Sequence, residues 1–468
     1  MTVQGRYPNI LLIVWDCVRA DHLSCYGYHQ PTTPFLETLA AEGVLFERAF
    51  SPAMWTLPAH ASLFTGAHVC KHQAQDGRAF LDDRLTTLAE ALNQVGYQTV
   101  GFSNNGWVSH RTGISRGFGE FHEMFRYRKD STIKAWSLKL VDKISWLVRH
   151  RGFLEAERTN RAVQAWLDNR RDETAPFFLF VHYNEAHTTY HPPRPYNRQF
   201  LPVNDLKRAL RVNQDPYRYV AGAAGMSEEE FSFLSGLYDG EIAYLDEKLE
   251  ELIGFLRGRD LLDDTVVILT ADHGENLGEH GLMGHVFCVY DTLLHVPLVL
   301  RYPRRWGSPR RERGLVQTVD VFATIAHLLG LEAPLLEQQL QGYSLLPEAL
   351  NGRPGYAVAE RAQRSLRKIF RNYPSFDYSG LERAQRAIRT PDQKYIWASD
   401  GRYEMYDVRA DPEERHNLIE RERDGASNLQ STLADWRLRH MAVEETDAVA
   451  PELDEELRRH LQGLGYIA

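Results

Sequence analysis

Apolar residues in this chain gather in short unbroken runs, each of which ends abruptly in polar ones. Residues 265–270 read Thr-Val-Val-Ile-Leu-Thr and give way to Ala271-Asp272-His273-Gly274-Glu275. A short, β-branched apolar run bounded in this way is a strand buried on both faces, as in a parallel sheet. Residues 9–15, Asn-Ile-Leu-Leu-Ile-Val-Trp, repeat the design and lead into Asp16. Residues 177–183, Phe-Phe-Leu-Phe-Val-His-Tyr, do so again and lead into Asn184-Glu185-Ala186-His187. Open α/β sheets bind ligands beyond the carboxyl ends of their strands, so three strands aim polar groups at one rim.

Between these runs the spacing becomes helical. Residues 87–92 predict a helix stopping at Gly96, residues 97–102 the next strand, and Asn104-Asn105-Gly106 a rim loop. Residues 238–256 predict a long structural helix entering the Asp272 strand. Residues 125–151, dense in lysine and arginine with Trp136 and Trp146 at either end, predict an amphipathic helix packed on the core. Contact with an anionic substrate or a membrane surface is the alternative for that segment. Near residue 340 the α/β periodicity weakens, dividing the chain into a catalytic domain, 1–340, and a C-terminal subdomain, 341–468. There, residues 394–398 and 403–408 around Asp400-Gly401 predict a hairpin within a small antiparallel sheet accompanied by terminal helices.

Residues 55–66, Trp-Thr-Leu-Pro-Ala-His-Ala-Ser-Leu-Phe-Thr-Gly, place a proline in a first turn and a glycine at the stop, which predicts a helix beginning near Thr56. A nucleophilic oxygen there meets free backbone N–H groups and the positive end of the dipole, an arrangement suited to a tetrahedral oxyanion. The plainer alternative is that Thr56 is an N-cap.

With 468 residues, 43% of them hydrophobic, the chain can bury one large core and a smaller appendage. A net charge of −9 gives no reason to expect nucleic acid as a partner. The four cysteines, Cys17, Cys25, Cys70 and Cys288, are too few for a disulfide scaffold and read as free thiols. The chain starts Met-Thr-Val-Gln-Gly-Arg-Tyr-Pro and passes straight into a strand too short to span a bilayer. The expectation is a cytoplasmic protein without a transmembrane segment.

Several motifs then follow one another in a telling order: Asp16-Cys17-Val18-Arg19-Ala20-Asp21-His22-Leu23 with Tyr26-Gly27, the 56–66 segment, Ala186-His187-Thr188-Thr189-Tyr190, and Asp272-His273-Gly274-Glu275. They continue through Gly278-Glu279-His280-Gly281, Gly284-His285 and His295-Val296-Pro297-Leu298 to Glu404-Met405-Tyr406-Asp407 with Asp411-Pro412-Glu413. Each is moderately specific alone. In this order and spacing the chain resembles the sulfatase-like branch of the alkaline phosphatase superfamily over nearly its whole length. The resemblance implies an α/β fold, alkaline-phosphatase-like, with a central mixed, mostly parallel sheet flanked by helices and a smaller C-terminal α+β subdomain. It also implies a metal-dependent ester hydrolase.

A threonine hydroxyl is a weak nucleophile at neutral pH, and coordination to a dication lowers its pKa without a neighbouring base. One divalent ion is therefore expected, with Asp16, Asp272 and His273 as ligands and Thr56 completing the shell. The nitrogen ligand, and Cys17 standing where the sulfatase pattern has a second aspartate, favour manganese or zinc. Calcium or magnesium fits if Cys17 faces the core, packing as a free cysteine usually does, and water fills the shell. His187 and His285 are expected to meet the substrate's charged oxygens and protonate the leaving oxygen. The resemblance places a substrate-contacting lysine or histidine at His285 and implies an anion contact for His60, where the sulfatase pattern has arginine. A second ion held by Glu185, His187 and His285 is the alternative to a single one.

Sulfatases of the family carry cysteine, or sometimes serine, where Thr56 stands, and oxidise it to formylglycine. Threonine cannot form that aldehyde, so no formylglycine is expected. A phosphorylated threonine, unlike a sulfated one, can be hydrolysed at phosphorus beside a metal. Threonine nucleophiles also occur elsewhere in the superfamily, in nucleotide pyrophosphatase/phosphodiesterases and lipoteichoic acid synthases. The expected activity is hydrolysis of a phosphodiester, phosphonate monoester or phosphomonoester through phosphothreonine, on a small-molecule anionic ester. The alternatives are sulfuric ester hydrolysis, phosphotransfer, and a catalytically inactive binding protein. The substrate itself and the oligomeric state have no readable code.

Overall fold

A computed structural model describes residues 7–125, 155–306, 309–331, 334–441 and 454–464. Among these the chain first lays down β1 (Asn9–Trp15), β2 (Val44–Phe50), β3 (Gln98–Ser103), β4 (Glu120–Glu123), β5 (Phe177–Tyr183) and β6 (Thr265–Ala271). A short ribbon, β7 (Asn276–Leu277) with β8 (Met283–Gly284), precedes β9 (His295–Val296), β10 (Leu298–Arg301) and β11 (Arg310–Gln317). Nine of these strands form one sheet in the order β11-β2-β10-β6-β1-β5-β3-β4, with β9 on β2. β10 runs antiparallel to both neighbours and β9 to β2, and the remaining pairs are parallel. This is the mixed, mostly parallel sheet expected.

The apolar runs become central strands because both faces of the sheet are covered. Along β1, Ile10, Leu12 and Val14 enter one core, while Leu11, Ile13 and Trp15 enter the other. The helices Thr56–Thr65, Leu88–Gln94 and Asp320–Leu329 pack on the first face. Pro34–Ala40, Glu155–Asn169 and Glu228–Arg257 pack on the second. Full burial of such a leucine or isoleucine contributes roughly 1.5–3 kcal/mol. Register then decides where chemistry can occur: Trp15 pairs with both Tyr183 and Ala271, so β5, β1 and β6 end level. Asp16, Asn184 and Asp272 leave the sheet side by side.

The helix expected over 238–256 begins earlier, at Glu228, where Ser227 and Glu230 form a reciprocal capping box. Of the basic segment 125–151, all but Phe125 lies outside the described residues. Among the described residues no helix is long and apolar enough to cross a membrane.

A second, antiparallel sheet of four strands follows: β12 (Ala357–Arg361), β13 (Gln385–Arg389), β14 (Gln393–Ala398) and β15 (Glu404–Asp407), in that order. The β14–β15 hairpin turns at Asp400-Gly401, with Gly401 in the left-handed region at φ +80°. Lys394 of β14 fastens this sheet to the main body. Its fully buried ammonium lies 2.8 Å from Asp291 and 2.6 Å from Glu414, and Arg389 reaches the same Asp291 at 2.9 Å. Removing the cation leaves the buried Glu414 without its counter-ion and Asp291 with Arg389 alone. Lys394→Met should therefore lower unfolding stability by about 3–5 kcal/mol in urea titrations, and a loss below about 1 kcal/mol would show that the cluster does not secure the sheet.

Candidate active site

Period-two alternation carries the acidic residues to one face. Asp16 continues the series Ile10, Leu12, Val14, and Asp272 continues Val266, Ile268, Thr270; in β5, His182 follows Phe178 and Phe180. That face is the one covered by the Thr56–Thr65 helix. Two residues four apart on the helix meet two residues two apart on the strand: Phe64 lies edge-on to Phe180 at 5.0 Å, and His60 edge-on to His182 at 4.9 Å. Glycine ends the helix. Gly66 has φ +64°, and a Cβ there would come within 2.4 Å of Leu340.

Thr56 is the first helical residue, not the cap: Trp55 occupies the N-cap position in extended conformation, and no side chain caps it. The Thr56 hydroxyl instead lies 3.4 Å from His273 Nε2. His273 Nδ1 donates to the Gly274 carbonyl at 2.9 Å, which leaves the Nε2 lone pair facing inward. Around Nε2 stand Asp16 Oδ1 at 3.7 Å and Asp272 Oδ2 at 3.4 Å. The turn beneath requires glycine, because a Cβ on Gly274 would lie 2.1 Å from the Thr292 carbonyl and 2.9 Å from Arg19 Cγ.

All four expected metal-site residues are thus together and buried, with Thr56, Asp16 and His273 fully so. Asp16 Oδ2 accepts from Asn105 Nδ2 at 2.8 Å and lies 3.2 Å from His182 Nε2. Burial opposes the charged form of Asp16, but His182, then His187 and His273, hold its pKa well below the ordinary range. Asp272 goes the other way: burial, and then the charge of Asp16, push it well up. His273 is lowered to about 3 by burial. Asp272 Oδ1 accepts from the backbone N–H groups of Cys17 and His273, whereas its buried Oδ2 has no hydrogen-bond partner among the described residues. An orphaned carboxylate oxygen beside a second carboxylate and an inward imidazole lone pair fits a divalent cation.

The remaining expected residues sort by depth. His187 and His285 stand at the rim with rings 5.0 Å apart. His187 Nδ1 bonds the Thr188 carbonyl at 2.7 Å, and His285 Nδ1 faces Glu275 Oε1 at 3.1 Å. Burial lowers His285 to about 4 and raises Glu275 to about 7. His60, expected to touch the substrate, is fully buried: Nδ1 donates to the Thr56 carbonyl at 2.9 Å, one helical turn away. It packs against His182 and Asp272, so its position is that of a buttress. Glu185 is engaged elsewhere, accepting from the backbone N–H groups of Ala156 and Asn184. Among the described residues the ligand-forming triad that contains His187 and His285 is completed by Cys17.

Sequence reasoning passed over two residues and left a third open. His182 hides inside an apolar run, although its parity with Phe178 and Phe180 marks its face. Asn105, read as loop, bonds Asp16 directly. Cys17, left open between core packing and the metal site, points its sulfur at Asp16 Oδ1, 3.1 Å away.

Two cavities of about 220 Å³ each adjoin the rim histidines. One is lined by His285, Tyr217, Val286 and Phe287, the other by His187, Glu185, Glu241 and Arg459. Both include Thr188 and Thr189, in the loop expected to form the pocket, and Gly463 of the C-terminal helix Glu455–Gly463, whose place at the rim the sequence did not signal.

A central sheet of this topology with this buried cluster at its strand ends defines an alkaline-phosphatase-like ester hydrolase. The chain belongs to the sulfatase family, whose model matches residues 8–331. A further model, N-sulphoglucosamine sulphohydrolase C-terminal, matches residues 278–442. The chain is 26% identical to the multifunctional alkaline phosphatase superfamily protein PehA of Trinickia caryophylli, over 88% of this chain and 91% of that one. It is also 26% identical to the uncharacterized sulfatase YidJ of Escherichia coli (strain K12), over 92% and 87% respectively. In fold it is similar to the phosphonate monoester hydrolase of Agrobacterium radiobacter, with TM-score 0.72 and 22% identity over 95% of this chain and all of that one.

Asp272→Asn and His273→Ala should each lower metal content and turnover together, with ion affinity falling by more than about tenfold. Elemental analysis of the purified variants checks this, and full occupancy in both would remove these residues from the ligand set.

Proposed function

We propose that the chain hydrolyses a phosphate or phosphonate ester by way of a phosphothreonine at Thr56. The observation that carries this reading is the Thr56 hydroxyl, at the first turn of a buried helix and 3.4 Å from the inward nitrogen of His273. Asp16, Asp272 and His273 would hold one divalent cation, manganese or zinc in preference to calcium or magnesium. Such an ion, when bound, lowers the pKa of a neighbouring hydroxyl and neutralises charge on the transferred group.

The rest falls to the chain itself. The positive end of the helix dipole faces the non-bridging oxygens. His60 and Asn105 fix the floor of the site, the one bonding the Thr56 carbonyl and the other the Asp16 carboxylate. Thr56 loses its proton to solvent, and its oxygen bonds to phosphorus as the bond to the departing alcohol breaks. A proton from His187 or His285 joins the leaving oxygen. Burial keeps both imidazoles neutral in the empty site, and the negative charge of an arriving ester opposes that effect. Water then attacks phosphorus, the bond to Thr56 breaks, and the hydroxyl recovers its proton.

Sulfuric ester hydrolysis is the second reading, favoured by the sulfatases among the relatives. Threonine weighs against it, because no aldehyde hydrate can form at Thr56 to expel sulfate.

Thr56→Ala should retain its metal and fold while turnover falls by on the order of 10⁴ or more. Steady-state rates on paired aryl phosphate, phosphonate and sulfate esters complete the test. Near-normal turnover in a folded, metal-loaded Thr56→Ala protein, or a preference for the sulfate ester, would overturn the assignment.

A further inference from the structure

Cys17 stands where the oxygen-rich pattern of the family leads one to expect an aspartate, and its geometry is not that of a packed hydrophobe. Its backbone is left-handed at φ +62°, a conformation that a side chain with a Cβ adopts only when its surroundings impose it. Both ends of the residue are pinned. The N–H donates to Asp272 Oδ1 at 3.2 Å, and the carbonyl accepts from the Tyr238 hydroxyl at 2.7 Å, which in turn accepts from the Arg19 N–H at 3.0 Å. The consequence of this bend is the direction of the sulfur. Sγ lies 3.1 Å from Asp16 Oδ1, and one ligand atom each from Asp16, Cys17 and His273 falls within 4.8 Å of the other two. Ligand atoms on a tetrahedral zinc lie roughly 3.3–3.8 Å apart, and the spacings around His273 Nε2, 3.4 and 3.7 Å, are of that order. The orphaned Oδ2 of Asp272 faces the same imidazole nitrogen.

We propose that Cys17 is itself a ligand, as its thiolate, of the ion held by Asp16, Asp272 and His273. The site then selects a thiophilic divalent cation, of which zinc is the type, over calcium and magnesium. The inference rests on the single-ion reading above and sharpens it, since it replaces a choice among four metals by a donor set of one sulfur, one nitrogen and carboxylate oxygens. Binding is a proton exchange: the Cys17 S–H bond breaks, the proton passes to solvent, and the sulfur lone pair forms the bond to the cation. No oxidant or reductant is involved. Cys25, Cys70 and Cys288 belong to none of the ligand-forming triads among the described residues.

Cobalt(II) is the probe, because a thiolate ligand adds an intense near-ultraviolet charge-transfer band that carboxylate and imidazole ligands do not. The full-length chain loaded with cobalt should bind one ion and show the band. Cys17→Ser should still bind one cobalt but lose the band, and its preference for zinc over magnesium, read by competition, should fall by about tenfold or more. Cys17→Asp should restore tight binding of an oxygen-seeking ion without restoring the band, which separates loss of a ligand from loss of fold. A band that survives in Cys17→Ser, or its absence from cobalt-loaded wild type, would overturn the assignment while leaving the Asp16, Asp272 and His273 site standing. Two cobalt ions in wild type falling to one in Cys17→Ser would instead assign the sulfur to His187 and His285. Failure of wild type to bind cobalt, zinc or manganese at all would overturn the single-ion reading itself.

Discussion

Two carboxylates buried at the ends of neighbouring parallel strands set the terms for the rest of this molecule. Asp16 and Asp272 emerge at the same level because Trp15 pairs with Ala271 in register. Neither reaches water. Like charges held close in a dry site cannot both ionise without compensation, and the pKa values of the two diverge accordingly, Asp16 down and Asp272 up. A cation between them resolves the conflict, and the groups around them are those that such an ion needs. His273 turns its lone pair inward, Asn105 holds the outer oxygen of Asp16, and the helix carrying Thr56 covers the open side. A nucleophile placed there is activated and shielded by the same arrangement.

Rigidity follows from how the site is supported. Its charged floor lies on three fully buried strands, and Thr56 on a helix whose residues are all buried. The parts that can vary lie at the rim, in the loop after His187, the β7–β8 ribbon carrying Gly284 into His285, and the C-terminal helix. Chemistry on a fixed floor with specificity on variable walls is the usual division in α/β enzymes. The two cavities beside His187 and His285 differ in character, one with aromatic and apolar walls and the other with carboxylates, so the two sides of the rim present different chemistry to an ester.

The elements buried on both faces were legible, because the few polar residues of β1, β5 and β6 fall at or next to the strand ends, His182 and Thr270 included. The polar residues at their ends, Asp16 and Asp272 among them, were legible for the same reason. What the sequence obscured were features set by geometry at long range. The Glu228–Arg257 helix starts in a polar turn whose cap, not its periodicity, marks it. β9 and β10 are two and four residues long and reveal themselves only by pairing with β2 and β6. His182 looked like one more residue of an apolar strand, and Cys17 like a core thiol, because nothing local records that one faces His60 and the other bends at positive φ. The orientation of His60 was hidden for a related reason. The motif puts it one turn after Thr56, and on the helix its ring turns back to the Thr56 carbonyl.

The most direct test is chemical capture of the nucleophile. With a slowly hydrolysed aryl phosphodiester, rapid acid quench and peptide mass spectrometry should find the phosphoryl group, still carrying its second ester substituent, on the hydroxyl of Thr56 at early times, and none in the Thr56→Ala protein. Turnover at the normal rate with an unmodified Thr56 throughout, and inversion at a chiral phosphorus in place of the retention that two successive displacements give, would mean that water attacks the ester directly and that Thr56 is not the nucleophile.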